Sequence, residues 1–159
     1  MIGAVLIFAN RRIALIGNGS QAQRIKATLK CWDLEPHCIF KPTLREGDSG
    51  ITDDFDKVRA CDTIFLCSPN KTHFDYLKSL IGERYIFCEK PPVQSHNHID
   101  ALRKLDNGKI HYNFNLRYSE ISNFLLKARN SDFGELISAS ITISHGLATK
   151  PAYEKSWRA

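Results

Sequence analysis

The residues able to do chemistry fall in a few short stretches. Gly17-Asn18-Gly19-Ser20-Gln21-Ala22 has the spacing G-x-G-x-x-A. In that pattern the first glycine permits a tight turn and the second lets the backbone approach a pyrophosphate. The small Ala22 then lets a helix pack closely on a strand. A helix starting here offers unpaired N–H donors and a partial positive charge to an anion. A glycine-rich turn without a ligand is the structural alternative. Ser68-Pro69-Asn70, with His73 just beyond, closes an apolar run. These residues either face a ligand or cap the next helix. Glu89-Lys90-Pro91-Pro92 places a charged pair at the end of another apolar run, with prolines fixing the backbone behind it. Lysine is a compact cation that can be made a proton carrier. In a cleft beside a cofactor, Lys90 would donate and accept a proton; a salt-bridged pair at a surface turn is the alternative.

The spacing also excludes chemistry. The dinucleotide fingerprint expects an acidic residue about 20 positions on, at the end of the second strand. Here that region reads Ile39-Phe40-Lys41-Pro42, and Glu35 lies before the strand. Lys41, with Arg45 nearby, suits a 2′-phosphate, which leans the cofactor slightly towards NADP over NAD; an exposed lysine at a strand end is the alternative. His96 and His98 do not share a helix face, so no metal site is expected. Neither a Ser-His-Asp nor a Cys-His nucleophile set can be assembled.

The elements that must position these residues follow from periodicity. Residues 12–17 form a continuous apolar run bounded by glycine, as a buried parallel strand should. Ala22, Ile25, Leu29 and Trp32 then recur at helical spacing. Further strands are expected at residues 37–42, 62–70, 84–92 and 109–115. Between them lie a loop at 43–52, a short helix at 53–61, a helix carrying Phe74, Leu77 and Ile81, and a helix at 95–108. For that last helix Ser95 is the N-cap and Gly108 the stop. Strands alternating with helices imply βαβ units, a parallel sheet and a Rossmann-type doubly wound α/β fold. Past residue 116 the pattern changes. Ile121, Phe124, Leu125 and Ala128 mark one more amphipathic helix. Ile137, Ala139, Ile141 and Ile143 then alternate with Ser138, Ser140, Thr142 and Ser144, which is antiparallel behaviour. Residues 1–115 are therefore expected to be a dinucleotide-binding domain. Residues 116–159 are expected to be the incomplete start of an α+β domain with a mainly antiparallel sheet.

Composition bounds the partners. The chain has 159 residues, 43% hydrophobic and 25% charged, with a formal charge of +5. Its basic residues are scattered rather than clustered, which argues against a nucleic-acid surface. Five cysteines at irregular spacing, without C-x-x-C, fit a reducing, cytoplasmic setting. The opening MIGAVLIFAN is too short to span a bilayer, which takes about 20 residues. It also lacks a basic leader region. It reads as an extra strand or a leader, and no membrane partner is expected.

In order along the chain, "IALIGNGSQAQR", "DTIFLCSPNKTHFDYL", "YIFCEKPP", "YNFNLRYSE" and "YEKSWRA" resemble the Gfo/Idh/MocA family, the relatives of glucose–fructose oxidoreductase and inositol dehydrogenase. The resemblance implies a Rossmann domain followed by an α/β domain, and NAD(P)-dependent oxidation or reduction of a sugar, cyclitol or sugar derivative. It implies that Lys90 faces the reacting group and that Ser68, Pro69, Asn70, His73 and Glu89 lie around the cofactor. Asn115 and Arg117 match an N-x-R segment near the site, and Trp157 and Arg158 a W-R pair reaching the nicotinamide. It further implies a homo-oligomer in the full-length form. Asn113 stands where the family often has glycine, and Pro92 directly follows E-K-P. The family's later D-x-x-x-H segment is not present before Ala159, so the chain is expected to be the first part of such an enzyme. A non-catalytic dinucleotide-binding module is the competing expectation. A methyl-transferring enzyme using S-adenosylmethionine is a third, against which the E-K-P segment argues.

Overall fold

The computed structural model describes residues 10–129 together with residues 137, 138, 140 and 142. The apolar runs become strands because a parallel strand must bury both of its faces. β1 (Ile13–Ile16) is buried at every position. It leads through Gly17-Asn18-Gly19 into α1 (Ser20–Lys30). β2 (Cys38–Phe40), α2 (Phe55–Arg59) and β3 (Thr63–Leu66) follow. A 3-10 turn (Asn70–Thr72) then runs into α3 (His73–Leu80) and β4 (Tyr85–Glu89). α4 (His96–Leu105) and β5 (Ile110–Asn113) complete the series. The five strands are all parallel and lie in the order β2-β1-β3-β4-β5. This is the doubly wound α/β sheet expected from the alternation of strand and helix.

The order dictates where the helices go. The β1-to-β2 connection runs one way across the sheet and the other three run the opposite way. Right-handed crossovers therefore put α1 on one face and α2, α3 and α4 on the other. The packing agrees. Val58, Leu77, Leu80 and Leu102 of α2, α3 and α4 share one core with Ala14, Ile16, Ile64, Leu66, Ile86, Cys88 and Ile110. Ile13 and Leu15 point to the opposite face and are equally buried. Each such fully enclosed Ile or Leu contributes about 1.5–3 kcal/mol relative to exposure. The chain also reverses direction around β1, since β2 lies on one side of it and β3 on the other. That reversal opens a crevice at the C-terminal ends of β1 and β3, the usual ligand position in such sheets.

Local chemistry sets the ends of the elements. Asp54 caps α2 by accepting the Asp56 N–H at 3.0 Å. Ser95 does precede α4, but its side chain makes no capping bond. α4 stops at Leu105, ahead of Gly108. Asp106 accepts the Gly108 N–H at 2.8 Å and Asn107 accepts the Lys109 N–H at 3.2 Å, so two side-chain turns end the helix. The loop at 43–52 was expected to be irregular, yet Thr52 returns to make a parallel bridge to Phe40.

By contact density the chain divides into Met1–Asn115 and Leu116–Ala159. A 3-10 turn (Asn115–Tyr118) begins at the last residue of the first unit, and α5 (Glu120–Arg129) follows in the second, capped by Ser119, whose Oγ accepts the Ser122 N–H at 3.2 Å. Ile121, Phe124 and Leu125 are exposed on it. The alternating strand expected at 137–144 lies in part outside the described residues. Of its positions Ile137, Ser138, Ser140 and Thr142 are described, and none is in a strand. The opening nine residues, like Trp157 and Arg158, also lie outside them. Among the described residues, no helix is long and apolar enough to cross a membrane.

Candidate functional site

The chemistry-bearing stretches converge because each follows the C-terminal end of a strand. Gly17 leaves β1 at φ +100°, a conformation that disfavours side chains. A Cβ there would stand 2.8 Å from the Cys67 carbonyl oxygen and 3.1 Å from the Ser68 nitrogen. The loops after β1 and β3 are thus in direct backbone contact at the crevice. Gly17 donates its N–H to the Phe40 carbonyl at 2.9 Å, tying the turn to β2 as well. Gly19 is the N-cap of α1 and has no side-chain cap above it. A Cβ at Gly19 would meet nothing within 4 Å. Open space therefore stands beside Gly19, at the start of α1, where no side chain caps the helix. Ala22 itself is 1% exposed, as close helix–strand packing requires. Asn18 accepts a hydrogen bond from Gln23 Nε2 and steadies the turn.

Glu89 is the hub on the β4 side. Its Oε1 accepts Gln21 Nε2 at 3.0 Å and Asn113 Nδ2 at 3.0 Å. One carboxylate thus joins the start of α1 to the ends of β4 and β5. Asn113 was noted in the sequence only as a departure from glycine; its amide completes this link. Lys90 follows Glu89 and is exposed. Among the described residues no ion pair engages its ammonium. The Lys90–Pro91 peptide is cis.

On the β3 side, Ser68 Oγ lies 2.8 Å from Thr72 Oγ1, which donates to the Pro69 carbonyl at 2.8 Å. Pro69 is exposed, while Asn70 is half-buried and opens the 3-10 turn. His73 is 0% exposed. Its nitrogens contact the Ser68 and Pro91 carbonyls, so it lies behind the rim of the crevice and presents no face to a ligand. Cys67 and Cys88 also sit here. Burial, reinforced by the negative charge of Glu89, pushes both thiols up to about 12, so neither is a thiolate nucleophile.

At the end of β2, Lys41 Nζ pairs with Asp48 Oδ2 at 2.6 Å. Asp48 also accepts the Arg45 N–H at 2.7 Å. The Lys41 bond and the Arg45 N–H together hold the Asp48 carboxyl below its ordinary range. Thr52 carries the loop back to β2, exchanging backbone bonds with Ile39 and Lys41 at 2.9 Å. That return brings Asp48 to Lys41. Beneath, Phe40 meets Phe55 edge-on at 5.2 Å and Tyr76 at 6.2 Å. This aromatic cluster fixes the strand end.

The remaining expected residues are not assembled here. Asn115 opens the second 3-10 turn, and only its backbone is described; Arg117 is exposed in the second unit. His98 stacks on Phe74 at 3.7 Å, and no group of His, Cys, Asp and Glu among the described residues could hold a metal.

Three observations show that the residues fit a dinucleotide. The first turn touches β3 so closely that only glycine is accommodated at residue 17. The second glycine leaves clear space above it. The helix start beyond carries no competing cap and no acidic residue in its first turn, so its donors and dipole face that space.

No family model matches the chain, and no curated protein matches it in sequence. Solved structures do match. UDP-N-acetylglucosamine 3-dehydrogenase GnnA from Acidithiobacillus ferrooxidans superposes with a TM-score of 0.62 at 17% identity, over 78% of this chain and 44% of that one. The dehydrogenase MviM from Clostridium difficile gives 0.58 at 26% identity, over 74% and 44%. Scyllo-inositol dehydrogenase from Lactobacillus casei, solved with bound NAD(H) and scyllo-inositol, gives 0.57 at 18% identity, over 76% and 41%. The likeness is one of fold. The chain spans less than half the length of each of these dehydrogenases.

Proposed function

We propose that this chain is the coenzyme-binding part of a Gfo/Idh/MocA-type oxidoreductase. The reaction moves a hydride between a nicotinamide dinucleotide and a hydroxyl or carbonyl carbon of a sugar, cyclitol or sugar derivative. The observation that carries the reading is the crevice between β1 and β3. There the uncapped start of α1 and the open space over Gly19 lie in one row of strand ends with Lys90.

Nicotinamide, when bound, supplies the hydride acceptor or donor; the chain supplies binding, orientation and proton handling. The Ser20, Gln21 and Ala22 N–H groups grip the diphosphate. Ser68, Pro69 and Asn70 form the adjoining wall. Glu89 locks Gln21 and Asn113 in place, and Lys90 holds or releases the proton at the substrate oxygen. Asn115, Arg117, Trp157 and Arg158 complete the site in this reading, on the family resemblance alone. Residues 1–115 form the coenzyme domain and 116–159 belong to the substrate and oligomerisation domain of a cytoplasmic homo-oligomer. The slight lean towards NADP rests on Lys41 and Arg45 at the end of β2, in a loop that also holds Glu46 and Asp48.

Calorimetric titration with NADPH, NADH and S-adenosylmethionine tests the proposal. A nicotinamide coenzyme should bind and S-adenosylmethionine should not. Absence of binding by both nicotinamide coenzymes at millimolar concentration overturns it. Coenzyme binding without turnover of any sugar or cyclitol leaves only the dinucleotide-binding module.

A further inference from the structure

His73 is fully enclosed, at 0% exposure, in the first turn of α3. Its Nδ1 lies 2.8 Å from the Pro91 carbonyl oxygen and its Nε2 lies 2.8 Å from the Ser68 carbonyl oxygen. A carbonyl oxygen can only accept, so both contacts are hydrogen bonds only when both ring nitrogens carry protons. The two carbonyls belong to different loops. Ser68 follows β3 and adjoins Gly17; Pro91 follows β4 and adjoins Lys90. The β3–β4 ladder ends at the pair Leu66↔Cys88. Beyond that pair, among the described residues, no backbone hydrogen bond joins the two loops. The imidazole takes over where the ladder stops.

We propose that His73 is a positioning residue. By bridging Ser68 and Pro91 it sets where the Lys90 ammonium stands relative to the coenzyme seat at Gly17–Ser68. This inference rests on the proposed function, because it assigns Lys90 a place beside a bound dinucleotide. It predicts a separation of effects. Loss of the bridge moves Lys90, while the diphosphate grip, built from α1, stays as it was.

The test needs no substrate. The full chain is treated with an acetylating reagent with and without NADH, and modification of Lys90 is followed by peptide mass spectrometry. NADH should slow acetylation of Lys90 in the unmodified protein. In His73→Phe, which keeps a ring but has no N–H, NADH should bind with unchanged Kd while the protection of Lys90 is lost. In His73→Gln, which offers one donor nitrogen in place of two, part of the protection should return. Equal protection in His73→Phe overturns the proposal, as does an unmodified protein that binds NADH without protecting Lys90. If His73→Phe does not fold, His73→Gln decides: protection equal to the unmodified protein overturns the proposal and partial protection supports it. If only NADPH binds, it replaces NADH throughout the test, and failure of the unmodified protein to bind either coenzyme refutes the proposed function. The bridge itself is then judged separately by long-range 1H–15N spectra of the ring, in which two protonated nitrogens uphold it and one bare nitrogen overturns it.

Discussion

Replacing Gly17 and Gly19 by alanine, one at a time, separates folding from binding at the same turn. At Gly17 the new methyl meets two obstacles. The backbone sits at φ +100°, where a residue with a side chain costs about 1–3 kcal/mol. The Cβ also lands 2.8 Å from the Cys67 oxygen and 2.9 Å from its carbon. Both are main-chain atoms at the end of a central strand, which cannot rotate aside, and such overpacking costs about 1–3 kcal/mol. Together the loss is about 2–6 kcal/mol against a total stability of roughly 5–15 kcal/mol. At about 4 °C per kcal/mol for a unit of this size, the melting temperature should fall by roughly 8–24 °C. Gly19 differs. Its φ of −78° suits any residue and nothing lies within 4 Å of the added carbon, so Gly19→Ala should melt within about 1 kcal/mol of the parent. Its methyl instead fills the space assigned to the diphosphate, and NADH affinity should drop about tenfold or more, which corresponds to about 1.4 kcal/mol. Thermal unfolding by circular dichroism and coenzyme titration read the two effects. An unshifted melting temperature in Gly17→Ala refutes the packing argument. Unchanged NADH affinity in Gly19→Ala refutes the placement of the cradle.

Other outcomes follow from the same geometry. On the proposed function, Lys90→Ala should lower turnover by about 10²–10⁴-fold, the range for general acid–base groups, with coenzyme Kd unaltered; normal turnover removes Lys90 from the reaction. Asp48→Asn releases Lys41 and removes a negative charge, so the ratio of NADPH to NADH affinity should rise about twofold to fivefold, as for an exposed charge contact. A ratio that does not move places the adenosine ribose elsewhere. Cys67 and Cys88 titrate near pH 12 in the fold, as does Tyr112, but near 9 (Cys) and 10 (Tyr) without it. The unfolded chain therefore loses these protons first, and stability present below pH 9 should decline as pH rises from about 9 to 12. Cys67→Ala should flatten that decline in melting-temperature profiles, and an identical profile would count against burial as the cause.

The fold was legible because parallel strands announce themselves. Runs such as IALI and, after Thr63, IFL carry no polar residue to expose, and each is followed by a turn signal and a helical period. The glycine turn was legible for the same reason: its place between strand and helix is what gives it meaning. The partnerships were not legible. Asp48 reads as one more polar residue in a loop until Thr52 folds that loop back onto β2. Asn113 and Gln21 are far apart in sequence and meet only through the Glu89 carboxylate. His73 invites a ligand-facing role by its motif, and its two backbone acceptors become visible only when the loops after β3 and β4 are placed side by side. Gly108 suggested a helix stop by type, whereas Asp106 and Asn107 had already turned the chain.

The hydrogen bond from Gln21 to Glu89 spans 68 positions of sequence. The mouth of the crevice therefore has no local nucleus: it comes into existence only once β1 and β4 both stand in the sheet. A molecule that binds there would act as a reporter of completed assembly and would draw the folding equilibrium towards the native state by mass action. Cleaving the polypeptide anywhere between those two residues would leave neither piece with half a site; each would carry only unorganised fragments of one.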